Sequence, residues 1–173
     1  MAHAPMMVSE DRATAYQEVA TQLAAVLDGE PNQVARMASA VSLLVSAFRP
    51  RFFWTGFYVV DPLVPEMLVV GPYQGTLGCL RIAFGRGVCG TAAQQQRAQL
   101  VPDVEAFPGH IACDARSRSE VVVPAFDAKG RLCAVLDVDS EEPDAFDDVD
   151  VAGLARVCAL VFGEAEAAQG AAQ

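Results

Sequence analysis

The 173 residues contain no long uncharged apolar run, although hydrophobic residues make up 53% of them and the mean hydropathy is +0.26. The greasiest stretches, 41–48 and 52–60, fall far short of the ~20 residues that a membrane-spanning helix needs, so they read as core. Basic residues are scarce. Twelve Lys and Arg stand against 22 Asp and Glu, a formal net charge of -10. That balance repels phosphate backbones and anionic lipid surfaces, so neither nucleic acid nor a membrane is an expected partner. Met1 to Met7 lack a basic region followed by an apolar stretch, so no secretory signal is expected and the expected compartment is cytoplasmic. There the five cysteines should stay mostly reduced, and their odd number argues against a purely structural disulfide framework. No internal repeat is present.

What is there reads as one domain of the α+β class, with a mainly antiparallel central sheet flanked by N-terminal helices and a C-terminal helix. An amphipathic pattern over 10–27, with Tyr16, Val19, Leu23 and Val26 at helical spacing, predicts a first helix capped by Ser9. Gly29 ends it, and Pro31 suits the first position of a second helix reaching Phe48, with Val34, Met37, Val41, Leu44 and Val45 on its apolar face. Residues 52–60 read as a strand holding Trp54, and 67–70 as its neighbour. Six glycines between Gly71 and Gly90 suggest loops where the backbone turns tightly or approaches something closely. A short helix over 88–96, a short strand over 99–101 and a long connection over 103–120 follow. Two strands, 120–126 and 131–139, form a hairpin through Asp127, Ala128, Lys129 and Gly130. A final helix spans 147–168, with Val149, Leu154, Val157, Leu160 and Val161 facing inward.

The cysteines divide by context. Cys133 and Cys158 sit among Leu132, Val135, Val157 and Leu160, where a thiol behaves as a small buried apolar group. Cys79, Cys89 and Cys113 fall in glycine-rich or irregular segments and can converge in space. Around Cys113 the run Pro108-Gly109-His110-Ile111-Ala112-Cys113-Asp114 offers the polar setting that a thiolate needs. The same residues, Cys79, Cys89, Cys113 and His110, could make a tetrahedral zinc site, but no close Cys-x-x-Cys pair supports it, and a redox reading is preferred with no metal expected. Period-two alternation puts Asp137 and Asp139 on one sheet face, and Glu120, opening the adjacent strand, can join them. Crowded acids repel and need a use or a partner. Trp54, the single tryptophan, proves nothing by itself.

Taken together, Trp54-Thr55-Gly56-Phe57-Tyr58, Gly71-Pro72-Tyr73-Gln74-Gly75, Cys79, Gly85-Arg86-Gly87-Val88-Cys89-Gly90-Thr91-Ala92-Ala93, Val101-Pro102-Asp103-Val104, Pro108 to Asp114, Ser119-Glu120 and Leu136-Asp137-Val138-Asp139-Ser140 resemble, in unbroken order, the free methionine-R-sulfoxide reductases of the GAF-domain superfamily. The segment Ala115-Arg116-Ser117-Arg118-Ser119 departs by carrying two arginines where smaller or neutral residues are expected. The resemblance implies a single GAF domain over 9–168 between a flexible N-terminus, 1–8, and a flexible tail, 169–173. It implies Cys113 as nucleophile, Cys79 as the thiol that resolves it, and Cys89 as an auxiliary thiol available for disulfide exchange. Trp54 is then expected to face the substrate's methyl end, and Glu120, Asp137 and Asp139 to line the pocket. Thioredoxin or a similar dithiol would reset the enzyme, with no bound cofactor; a homodimer is left open.

The chemistry fits those residue types. A sulfoxide yields to a thiolate only when its oxygen is protonated, and an acid crowded by two others, here Glu120, can keep its proton near neutral pH. Burying the substrate's ammonium group needs carboxylates, a task for Asp137 and Asp139. Attack by Cys113 leaves a sulfenic acid that condenses with a second thiol. The competing expectation is a non-catalytic GAF module that binds a small ligand and signals through a partner.

Overall fold

A computed structural model describes residue 9 and residues 11–111 and 113–163. Four α-helices and six strands are present among them: α1 (Arg12–Val26), α2 (Gln33–Phe48), β1 (Trp54–Val60), β2 (Met67–Gln74), β3 (Arg81–Ala83), α3 (Gly87–Gln95), β4 (Gln99–Val101), β5 (Ser119–Phe126), β6 (Leu132–Ser140) and α4 (Asp148–Phe162), with a 3-10 turn at Val104–Ala106. The strands form one sheet in the order β3-β2-β1-β6-β5-β4, with antiparallel neighbours throughout. The expected α+β class and the β5–β6 hairpin are therefore found. No helix among the described residues is long and apolar enough to cross a membrane.

Alternation along the central strands builds two cores. Phe57, Val121, Val123, Ala134, Leu136 and Val138 point to α1, α2 and α4, where Val19, Leu23, Leu44 and Leu154 complete a core with no exposed surface at those four positions. Tyr58, Val122 and Val135 point the other way, to a smaller core closed by α3 through Val88, Cys89, Ala92 and Ala93. Cys158 lies in the larger core. Cys133 is only half-buried, because β6 begins where the chain leaves the core at the Asp127 turn.

The helix starts differ from the sequence expectation. α1 is capped not by Ser9 but by Asp11, whose carboxylate accepts from Thr14 N–H at 2.9 Å, while Ser9 Oγ accepts from Asp11 N–H. α2 begins at Gln33 rather than Pro31, because the side chain of Asn32 accepts from Ala35 N–H at 3.0 Å. A side-chain acceptor that meets an open backbone donor outcompetes the preset φ of proline. Val26, Val34 and Val149 are 50%, 60% and 38% exposed, since each sits in a terminal turn past the packed stripe. β3 lies within the glycine-rich stretch that the sequence alone presents as loop. The segments 1–8 and 169–173, and the end of the final helix expected over 164–168, lie outside the described residues.

One buried charge ties the helical layer together. Asp150, without exposed surface, accepts from Arg12 Nη1 at 2.7 Å, Arg51 Nη2 at 2.6 Å and Tyr16 OH at 2.9 Å, and closes a capping box with Asp147. Arg12 also bonds Asp147. A carboxylate out of water is tolerable only with such full compensation.

Candidate active site

Strand register assembles the site. Glu120 pairs with Asp139, which pairs in turn with Trp54; one rung on, Val122 pairs with Asp137 and Asp137 with Gly56. The three carboxylates and the indole thus share the sheet face covered by α3. At Gly56 a Cβ would fall 2.3 Å from Tyr73 Cβ and 2.7 Å from Trp54 Cη2, so only glycine leaves room for the indole to lie there. The ring stacks on Tyr73 at 5.2 Å and Tyr58 at 5.8 Å between centroids, and its Nε1–H donates to Thr76 O at 3.0 Å. At Gly90 a Cβ would lie 2.3 Å from the carbonyl oxygen of Ala83. Its absence lets α3 settle against β3, carrying Cys89 beneath the acids.

Above this floor is a pocket that opens to solvent. Trp54, Cys89, Cys113, Glu120, Asp137 and Asp139 all line it, so the structure brings together every expected site residue except Cys79 in one wall. Cys79 is reached through a bond: Cys79 and Cys113 form a disulfide with Cα atoms 5.6 Å apart. Two of the four donors weighed for zinc are therefore joined to each other in this state. The Cys113 loop is clipped to the Cys79 loop by Asp114 Oδ2, which accepts from Thr76 Oγ1 at 2.7 Å. The unexpected Arg116 has a place here too: it pairs with Asp114 and Glu141, and its guanidinium lies 4.4 Å from the centre of the Phe53 ring. These contacts hold Asp114 well below the usual carboxylate range, through Arg116 first and Thr76 next.

Electrostatically the floor is the reverse. Burial first, then the neighbouring carboxylates, push Glu120, Asp137 and Asp139 well above the ordinary range. Glu120 and Asp137 are hydrogen-bonded to each other, so the two act as a coupled pair holding a proton between them. Asp137 Oδ1 is buried without any hydrogen-bond partner, and the ligand atoms of Cys89, Glu120 and Asp137 lie within 4.8 Å of one another. That geometry suits one small cationic group. His110 Nε2 stands 3.6 Å from Glu120 Oε2, and burial lowers its pKa, so the ring is uncharged near neutral pH.

Raised folded-state values have a stability consequence of definite sign. The unfolded carboxyls ionise near pH 4, the folded ones only at higher pH, so stability is full below the unfolded pKa and is lost as pH rises towards the folded one. Asp137→Asn is therefore expected to raise the melting temperature near pH 7.5 by about 3 °C, the gap closing as pH falls to about 4. Thermal unfolding of both proteins across that range checks it; a gap independent of pH would assign the effect to packing.

Sequence reasoning missed Tyr58, Ser117 and the placement of His110. Tyr58 could have been found, being four residues after Trp54 on an alternating strand; its hydroxyl is pushed up by burial and then by Asp137. Ser117 lines the same pocket from the irregular loop, where no periodicity signals a contact. His110 belongs to the Cys113 segment in sequence, but its Nε2 lies near Glu120.

Comparison with known proteins adds an independent line. The GAF domain family matches residues 35–161. The free methionine-R-sulfoxide reductase of Escherichia coli is 40% identical over 144 residues, covering 83% of this chain and 84% of that one. The free methionine-R-sulfoxide reductase of Saccharomyces cerevisiae is 41% identical over 137 residues, 78% of this chain and 76% of that one. The solved structure of free methionine-R-sulfoxide reductase from Neisseria meningitidis, in complex with its substrate, superposes with a TM-score of 0.86 at 43% identity, covering 92% of this chain and 93% of that one.

Proposed function

The chain belongs to the free methionine-R-sulfoxide reductases of the GAF domain family, and from that membership we propose a residue-level reaction on free L-methionine-(R)-sulfoxide. The observation that carries it is the Cys79–Cys113 disulfide at a cavity whose floor holds three buried carboxylates. In the reduced enzyme, the Cys113 thiolate attacks the sulfoxide sulfur while Glu120 protonates the oxygen. Oxygen passes to Cys113 as a sulfenic acid, two electrons leave the cysteine sulfur, and methionine departs. The Cys79 thiol then attacks the sulfenic sulfur, expelling water and forming the disulfide.

Substrate binding settles where the shared proton sits. The ammonium group, held against Asp137 and Asp139, stabilises those two as anions, so the proton of the coupled pair stays on Glu120. Trp54 and Tyr58 form the apolar wall for the methyl end. A thioredoxin-type dithiol reduces the disulfide to start the next cycle, and the scheme needs no metal or organic cofactor.

Methionine release is to be measured with dithiothreitol on the R and S forms of free and peptide-bound methionine sulfoxide. Turnover of the free R form alone is expected, because a peptide bond removes the ammonium that the acids hold. Equal turnover of the peptide form would refute this pocket assignment, and no turnover of any form would return the chain to small-ligand sensing.

A further inference from the structure

We infer that Cys89 acts as a positioning residue, a thiol whose S–H fixes the Asp137 carboxylate for the substrate ammonium. This deepens the proposed reduction of free methionine sulfoxide and rests on it. The resemblance offers Cys89 a part in disulfide exchange, but three features of its surroundings favour a different task.

The first is access. Cys89 is 4% exposed and free, while Cys79 and Cys113 close their disulfide without it. The second is polarity. A thiol that attacks disulfides or sulfenic acids must ionise readily, which takes a cationic or open setting. Cys89 instead faces Asp137, Glu120 and Asp139, which together with burial hold it in the protonated form. The third is direction. Its Sγ lies within 4.8 Å of a carboxylate oxygen of both Asp137 and Glu120, and Asp137 Oδ1 is buried without a partner.

An S–H donor serves this place for a physical reason. Asp137 carries two oxygens on a sheet face already crowded by Glu120. Contacts from Cys89 and Glu120 orient the carboxylate, so that it meets the ammonium in one fixed pose. Because α3 lies against β3 at Gly90, the thiol arrives on a rigid support and not on a loop.

The test compares Cys89→Ala and Cys89→Ser with wild type. Serine keeps a donor at this position; alanine removes it. Each enzyme is assayed on free methionine-R-sulfoxide and on its N-acetyl form, which lacks the ammonium. In Cys89→Ala, KM for the free substrate is expected to rise about tenfold with kcat kept within about threefold, and the preference for free over N-acetylated substrate to fall by the same factor. Cys89→Ser should recover most of both. Oxidation by substrate without reductant should consume two thiols per chain in all three proteins.

A loss of kcat with unchanged KM, or failure of the Cys79–Cys113 bond to form in Cys89→Ala, would return Cys89 to redox exchange and overturn the inference. So would an unaltered substrate preference in that variant. If wild type releases no methionine from the free sulfoxide, the underlying reaction fails instead, which separates the two results.

Discussion

Cys113→Ser is expected to lower methionine release by at least about a thousandfold, because serine at neutral pH offers neither the anionic nucleophile nor a sulfur able to accept oxygen. The loss is one of chemistry, so the fold should be kept: Cys113 is an exposed residue on a loop, outside both cores. Cys79→Ser tests the other end of the bond. It should release about one methionine per chain without reductant and then stop at a sulfenic acid that a cyclic 1,3-diketone traps, since the thiol that would expel water is gone. Near-normal turnover by Cys113→Ser, or trapping at any cysteine other than Cys113, would remove that residue from the nucleophile's role.

Much of this site is legible in the amino-acid sequence, and the reason is geometric. A strand's period of two is inflexible, so Asp137 and Asp139 had to share a face, and a hairpin through Asp127 to Gly130 had to bring Glu120 near them. Trp54 joins the same face because β1 pairs with β6, a long-range choice that no local pattern states. Loops carry no such rule. The approach of Cys79 to Cys113 depends on the Thr76–Asp114 clip and on Arg116 lying over Phe53, contacts between segments whose spacing says nothing about distance. Only the resemblance paired those cysteines. The glycine-rich stretch reads as tight turns or close backbone approach but not as β3, since a three-residue strand leaves too short a pattern to read. Helix ends went astray for a different reason: Ser9, Asp11, Pro31 and Asn32 all favour a helix start, and the choice between adjacent candidates lies in which side chain reaches an open N–H.

Glu120→Gln is expected to lower kcat by about a hundredfold or more and, more tellingly, to erase the alkaline fall of the pH profile. In the wild type the acid must be protonated to act. Burial, then the charge on Asp139, place its pKa well above that of an ordinary glutamate. The working form is therefore full at low pH and is lost as pH rises through that folded-state value, while the Cys113 thiolate is gained with rising pH. The product is a bell-shaped kcat/KM whose descending arm belongs to the Glu120–Asp137 pair. Glutamine keeps the shape and a hydrogen-bond donor but has no proton to give, so the descending arm should vanish along with most of the rate. Hydrogen peroxide supplies the control. It can oxidise the Cys113 thiolate to a sulfenic acid without a protein acid to protonate a sulfoxide, so disulfide formation in Glu120→Gln should proceed at close to the wild-type rate with peroxide and fail only with methionine sulfoxide. If both oxidants are slowed alike, Glu120 acts on the thiol and not on the oxygen. If the descending arm survives in Glu120→Gln, the proton comes from elsewhere on the acidic floor, and Asp137 becomes its source.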